Sequence, residues 1–183
     1  KVAEIFKYIE EPRKYIRELS VESAPRVISE MDSDDAVDLL EDLDPEEKEQ
    51  IVRMLDEDAK KDVKMLLSYD EEEIGSCMTT NYICIPENLT IRQAMSELVK
   101  QAGENDNIMT IYVVDEKGVF AGAIDLKDLI RARENAHLED LVLKSYPYVT
   151  DHEKIDDCMD RILDYAEDSI PVLSEDKKIL GVI

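Results

Sequence analysis

Over the first third of the chain, aliphatic residues recur with a period of twelve. The units are SVESAPRVISEM (residues 20–31), DSDDAVDLLEDL (32–43), DPEEKEQIVRML (44–55) and DEDAKKDVKMLL (56–67). Positions 8 and 12 are apolar in all four units: Val27 and Met31, Leu39 and Leu43, Ile51 and Leu55, Val63 and Leu67. Position 9 adds Ile28, Leu40 and Val52. Spacings of three and four place these residues on one stripe of a short helix. Position 1 is Ser, Asp, Asp and Asp, residue types that cap helix N-termini, and Pro45 directly follows its cap, where no N–H is needed. Asp35 and Glu47 stand three residues after their caps, at the capping-box position. Helices this short are marginal alone, so the rhythm predicts a superhelix in which each unit is buried on its neighbours. Ile5, Tyr8, Ile9, Tyr15 and Ile16 predict an earlier helix within residues 1–19.

Near Gly75 the pattern changes to β-rich runs alternating with helical ones, and a second repeat begins. IPENLTIRQAMSELV (85–99) aligns without gaps on VTDHEKIDDCMDRIL (149–163), matching Ile91 with Ile155 and Met95 with Met159. IYVVDEKGVFAGAI (111–124) aligns on IPVLSEDKKILGVI (170–183), matching Val113 with Val172 and Gly122 with Gly181. Each copy reads as strand, helix, buried strand, charged turn and strand. The first copy continues into DLKDLIRAR, a helix from about Lys127, whereas the second stops at Ile183, so the repeat predicts a truncated C-terminus. The expected organisation is an acidic helical superhelix over residues 1–72, a linker with the first copy over 73–135, and the second copy over 136–183. The fold class is thus all-α followed by α/β.

Charge narrows the range of partners. The chain has 45 acidic and 22 basic residues, a net charge of −23, and both parts contribute: residues 1–77 carry 24 acids against 11 bases. Such a field repels nucleic acid and anionic lipid and concentrates cations. Cys77, Cys84 and Cys158 form neither an even framework nor a CxxC pair, and they read as reduced thiols. No run approaches the roughly 18 apolar residues of a membrane helix. There is no P-loop, GxGxxG or HExxH. His137 and His152 have no nucleophile pattern near them and read as surface residues, so no enzyme activity is expected.

The stretch MTTNYICIPENLTIRQAM…IYVVDEKGVFAGAIDLKDLI and its second copy resemble a tandem pair of cystathionine β-synthase (CBS) motifs. With the acidic superhelix ahead of them, joined through LLSYDEEEIGSCMTTNY, residues 20–183 resemble the cytosolic part of the MgtE-type magnesium transporters. The resemblance implies a regulatory region on the cytoplasmic face of the cell membrane. It would sense Mg²⁺ between the helical domain and the CBS pair, gate a transmembrane pore domain absent from this sequence, and form a homodimer through the CBS pair. The implied metal ligands are Asp34, Asp35 and Asp38 on the helical side and Asp156 and Asp164 on the CBS side. The pattern carries an acid directly after the position of Tyr165. Ala166 stands there instead, leaving Glu167, one residue on, as the nearest substitute.

The acids of residues 32–50 are not one population. Capping explains Asp32, Asp44 and Asp56, but not all of Asp34, Asp35 and Asp38. Asp34 and Asp38 lie four apart, where like charges cost about 0.2–0.5 kcal/mol. A divalent cation would reverse that sign. The alternative function is an adenosine-nucleotide sensor. CBS pairs bind AMP or ATP through a Ser/Thr-x-x-Asp at the start of their last helix. Here the segment reads Asp125-Leu126-Lys127-Asp128, with an acid in place of the hydroxyl and with Lys127 and Asp128 as the remaining candidate contacts.

Overall fold

The structure, a computed structural model, describes Ile16, Leu19 and residues 23–163 and 167–183. The chain divides into two units, Lys1–Glu71 and Glu72–Ile183. Most of the helix expected within residues 1–19, and the candidates Asp164, Tyr165 and Ala166, lie outside the described residues.

In the first unit the twelve-residue rhythm becomes four helices: α1 (Ser23–Ser29), α2 (Ser33–Glu41), α3 (Pro45–Met54) and α4 (Glu57–Leu66). Helix α1 packs on α3 and α2 on α4, so alternate repeats bury each other's apolar faces. Val27, Ile28, Leu39, Leu40, Leu43, Val52, Leu55 and Val63 are all buried. The last repeat departs from the rhythm: Leu66 is buried while Leu67, the C-cap, is only half-buried. Position 9 of that repeat is Lys64, so the apolar face there runs from Val63 to Leu66, three residues on.

The N-caps correct a simple expectation. Asp32, Asp44 and Asp56 all take extended backbone angles ahead of their helices, and their carbonyls accept from Ala36, Lys48 and Lys60, each at 2.9 Å. Only Asp56 closes its cap with the side chain, Oδ1 accepting from Ala59 N at 2.9 Å. The carboxylates of Asp32 and Asp44 make no cap bond.

In the second unit the first copy forms β1 (Ile83–Pro86), α5 (Ile91–Gln101), β2 (Thr110–Val114), β3 (Phe120–Asp125) and α6 (Leu126–Arg131). The second copy forms β4 (Val149–Thr150), α7 (Ile155–Leu163), β5 (Pro171–Leu173) and β6 (Ile179–Val182). Each copy makes a three-stranded sheet in chain order, with its middle strand parallel to the first and antiparallel to the third. The register repeats as well. Ile85 pairs with Val113 and Val113 with Gly122; Val149 pairs with Val172 and Val172 with Gly181. Helix α5 opens with a capping box between Thr90 and Gln93 and buries Ile91, Ala94 and Leu98 against Ile83, Ile85, Ile111 and Val113.

The copies are joined by exchange. Thr79, ahead of β1, gives its N–H to Val182 O on β6 at 2.8 Å and accepts from Val182 N at 2.9 Å. Leu143, ahead of β4, does the same with Ala123 on β3, at 2.8 and 3.3 Å. Between them lies a buried aromatic cluster in which Tyr112 and Tyr146 meet edge to face at 6.1 Å. Tyr112 Oη is 2.6 Å from Ser169 Oγ, and Tyr146 Oη donates to Ser169 O at 2.8 Å.

Candidate cation-binding acids

Helix α2 is fixed by its apolar side. Ala36, Val37, Leu39 and Leu40 are buried, and the acids must share what remains of the surface. Asp34 and Asp35 occupy the first turn, half-buried, and Asp38 is exposed one turn further on. A first-turn carboxylate gains about 0.3–1 kcal/mol from the helix dipole, which accounts for an acid at Asp34 or Asp35 but not at Asp38. Asp34 carries a further peculiarity. Its Oδ1 is enclosed and has no hydrogen-bond partner, the one buried side-chain oxygen or nitrogen in that condition among the described residues.

A carboxylate oxygen without a donor is an acceptor that a cation can complement. A cation bound there would also offset the repulsion between Asp34 and Asp38. Among the described residues no three His, Cys, Asp or Glu side chains converge on one point, so no closed metal cage is present. The donor set instead suits Mg²⁺, a hard ion that takes one or two carboxylates and keeps several of its waters.

The acids expected on the second unit are less gathered. Asp156 lies in the first turn of α7, exposed, and Glu167 is exposed ahead of β5. Asp164 falls outside the described residues. The nucleotide candidates Lys127 and Asp128 are both exposed on the first turn of α6. Asp125 is the N-cap of that helix, and its Oδ1 accepts from Lys127 N at 2.7 Å. A carboxylate therefore already occupies the helix start from which a phosphate would draw its N–H bond.

The sequence reading missed a second polar grouping, where residues 72–75 meet residues 151–155. There His152 Nδ1 lies 3.0 Å from Glu73 Oε1, and Lys154 Nζ donates to Glu72. No sequence signal marks pairs 79 and 82 residues apart. His137 and His152 are both exposed, as read from the sequence. Among the described residues no helix is long and apolar enough to cross a membrane.

Comparison with known proteins places this arrangement. Residues 1–72 match the MgtE intracellular N domain, and residues 72–135 and 138–183 each match the CBS domain. The magnesium transporter MgtE of Thermus thermophilus is 32% identical over 118 residues, a stretch covering 63% of this chain and 26% of that protein. The chain thus aligns with about a quarter of the length of this curated relative. The crystal structure of the soluble part of a magnesium transporter superposes with a TM-score of 0.92 at 32% identity, covering 99% of this chain and 72% of that one. The cytosolic domain of the Mg²⁺ channel MgtE in complex with ATP gives 0.89 at 27% identity, covering 99% and 75%. In the order of its parts, in its fold and in its sequence, the chain belongs to the MgtE family of magnesium transporters and carries that family's intracellular N domain followed by a CBS pair.

Proposed function

We propose that the chain is the Mg²⁺-sensing regulatory region of a magnesium transporter, acting on a pore domain of the same protein at the cytoplasmic face of the membrane. The observation that carries the reading is the enclosed, unpartnered Oδ1 of Asp34 on the acidic side of α2. Asp34, Asp35 and Asp38 are the proposed ligands from the helical unit, and Asp156, Asp164 and Glu167 those from the CBS unit. With Mg²⁺ scarce, a chain of net charge −23 keeps its acidic surfaces apart. With Mg²⁺ abundant, the ion neutralises carboxylates on both units and favours the compact arrangement, which shuts the pore. A ligand that binds only one arrangement stabilises it by about 2.7 kcal/mol at a hundredfold excess over Kd, enough to move a balanced equilibrium decisively. The role is regulatory and involves no catalysis.

Pairing of two chains through the CBS helices is part of the proposal. Val99 on α5, Ile130 on α6, and Met159 and Leu163 on α7 are apolar and exposed, a pattern expected of helix faces that a second copy covers.

Isothermal titration with MgCl₂ tests the reading, comparing the chain with Asp34→Ala/Asp38→Ala. The proposal expects binding at millimolar Mg²⁺ that the double variant loses with its fold intact. Equal heats in both, or none beyond those of matched ionic strength, would remove it.

A second reading, nucleotide binding, is favoured by one specific observation: the relative solved with ATP. Lys127 and Asp128 are the proposed contacts here. The Asp125 carboxylate beside them weighs against phosphate, so ATP is expected to bind more weakly than Mg²⁺ regulates.

A further inference from the structure

Residues 72–75, which follow directly on the helical unit, are laid against the start of the second CBS copy. Ile155 N donates to Glu72 O at 2.9 Å, Ile74 N to Glu153 O at 2.9 Å, and Gly75 N to Asp151 O at 2.8 Å. Side chains continue the attachment. His152 Nδ1 is 3.0 Å from Glu73 Oε1, and its Nε2 is 3.8 Å from Asp151 Oδ2. The Glu73 and Asp151 side chains are only 19% and 11% exposed, so water screens them poorly, whereas the imidazole is 62% exposed and open to protons. Glu175 is the third charged group acting on the ring, and the neighbouring Lys154 is engaged with Glu72.

We propose that His152 is a proton-operated latch, whose imidazolium holds Glu73, and with it the segment 72–75, onto the second CBS copy. A neutral imidazole offers Glu73 at most one ordinary hydrogen bond. The imidazolium carries a proton on both nitrogens, so Nδ1 always donates to Glu73 in a charge-assisted bond about twice as strong, and its positive charge sits among three acids. The Glu73 hydrogen bond first, then the Asp151 charge, raise the His152 pKa above the ordinary histidine value. The sign follows from that direction. The latch is fully closed below the free-histidine pKa of about 6.5 and opens as pH rises through the higher folded-state value. Acidification therefore tightens the joint through which the chain enters the CBS pair, and alkalinisation loosens it. This device stands on the second unit alone and does not depend on the Mg²⁺ reading.

The test combines an NMR titration of His152 with amide exchange at pH 6 and 8, each rate corrected for intrinsic exchange, in the chain, in Glu73→Gln and in His152→Gln. The latch predicts a His152 midpoint above that of free histidine, which falls back in Glu73→Gln. It also predicts protection of Ile74, Gly75 and Ile155 several-fold greater at pH 6 than at pH 8, with that pH dependence absent from His152→Gln. Either a midpoint indifferent to Glu73→Gln, or the same pH dependence of protection with and without His152, would overturn it.

Discussion

Gly181 faces Thr79 so closely that a Cβ on the glycine would stand 2.7 Å from the Thr79 carbonyl oxygen. Its repeat mate Gly122 faces Leu143 in the same way, at 2.5 Å, and in addition holds φ at +145°. Both glycines sit where the last strand of one CBS copy receives the segment that precedes the other.

Alanine at either position should therefore break the joint between the copies and leave each sheet intact. Gly122→Ala meets backbone and a disfavoured φ together and should cost about 3 kcal/mol or more; Gly181→Ala, with the flexible Met78 side chain able to yield in part, should cost about 1–3 kcal/mol. Urea unfolding of both variants measures this. Losses below half a kcal/mol would mean that the exchange contributes little.

The repeat also sets a pair of turns against each other. Gly118 and Lys177 occupy equivalent positions, and both are left-handed, at φ +77° and +61°. A Cβ on Gly118 would touch nothing within 4 Å, so Gly118→Ala isolates the backbone term and should cost about 1–2 kcal/mol. Lys177 already bears that cost, offset in part by its ammonium lying 4.4 Å over the Tyr148 ring. Lys177→Gly should accordingly change stability by less than about 1 kcal/mol, since relief of strain is balanced by chain entropy and the lost contact. The thermal midpoints of the two variants give the comparison.

Burial pushes the Tyr112 hydroxyl well above the ordinary tyrosine range, and Tyr146 moves the same way. A group whose folded pKa is raised stabilises fully below its unfolded value, here about pH 10, and loses that contribution as pH climbs above it. The chain should therefore keep its urea resistance up to about pH 9.5 and lose it as pH rises from about 10 to 11.5. Tyr112→Phe should start about 1 kcal/mol lower, having lost the Ser169 hydrogen bond, but should decline less steeply over that range. Parallel declines would show that Tyr112 ionisation is not what alkali acts on.

Thiol labelling at pH 8 should separate the three cysteines. Cys77 is exposed and should react in the native state. Burial pushes the Cys84 thiol up to about 11, and Cys158 is buried, so both should react only as the CBS unit unfolds. Native labelling of Cys84 at the rate of Cys77 would contradict this environment.

Local rules made much of the fold legible. The twelve-residue rhythm placed the starts of α2, α3 and α4, because a cap and an apolar stripe are properties of neighbouring residues. The gapless alignment of the two copies carried the equivalent register of Ile85 with Val113 and Val149 with Val172. What could not be read was non-local. The exchange of Thr79 and Leu143 between copies gives two glycines their meaning, yet involves partners 103 and 20 residues away. The Asp32 and Asp44 side chains, expected to close their caps, do not, since an aspartate at an N-cap can find other company than the helix. At the candidate site the surplus of acids on α2 was visible in the spacing. The enclosure of one oxygen of Asp34 was not, because burial of a single atom depends on how α2 seats in the core.

Small-angle scattering with and without Mg²⁺ tests the central claim most directly. The account predicts that about 10 mM MgCl₂ reduces the radius of gyration of the chain, that NaCl at matched ionic strength does not, and that Asp34→Ala/Asp38→Ala abolishes the change. An identical radius in Mg²⁺ and in matched NaCl, or a compaction that survives loss of both aspartates, would contradict it.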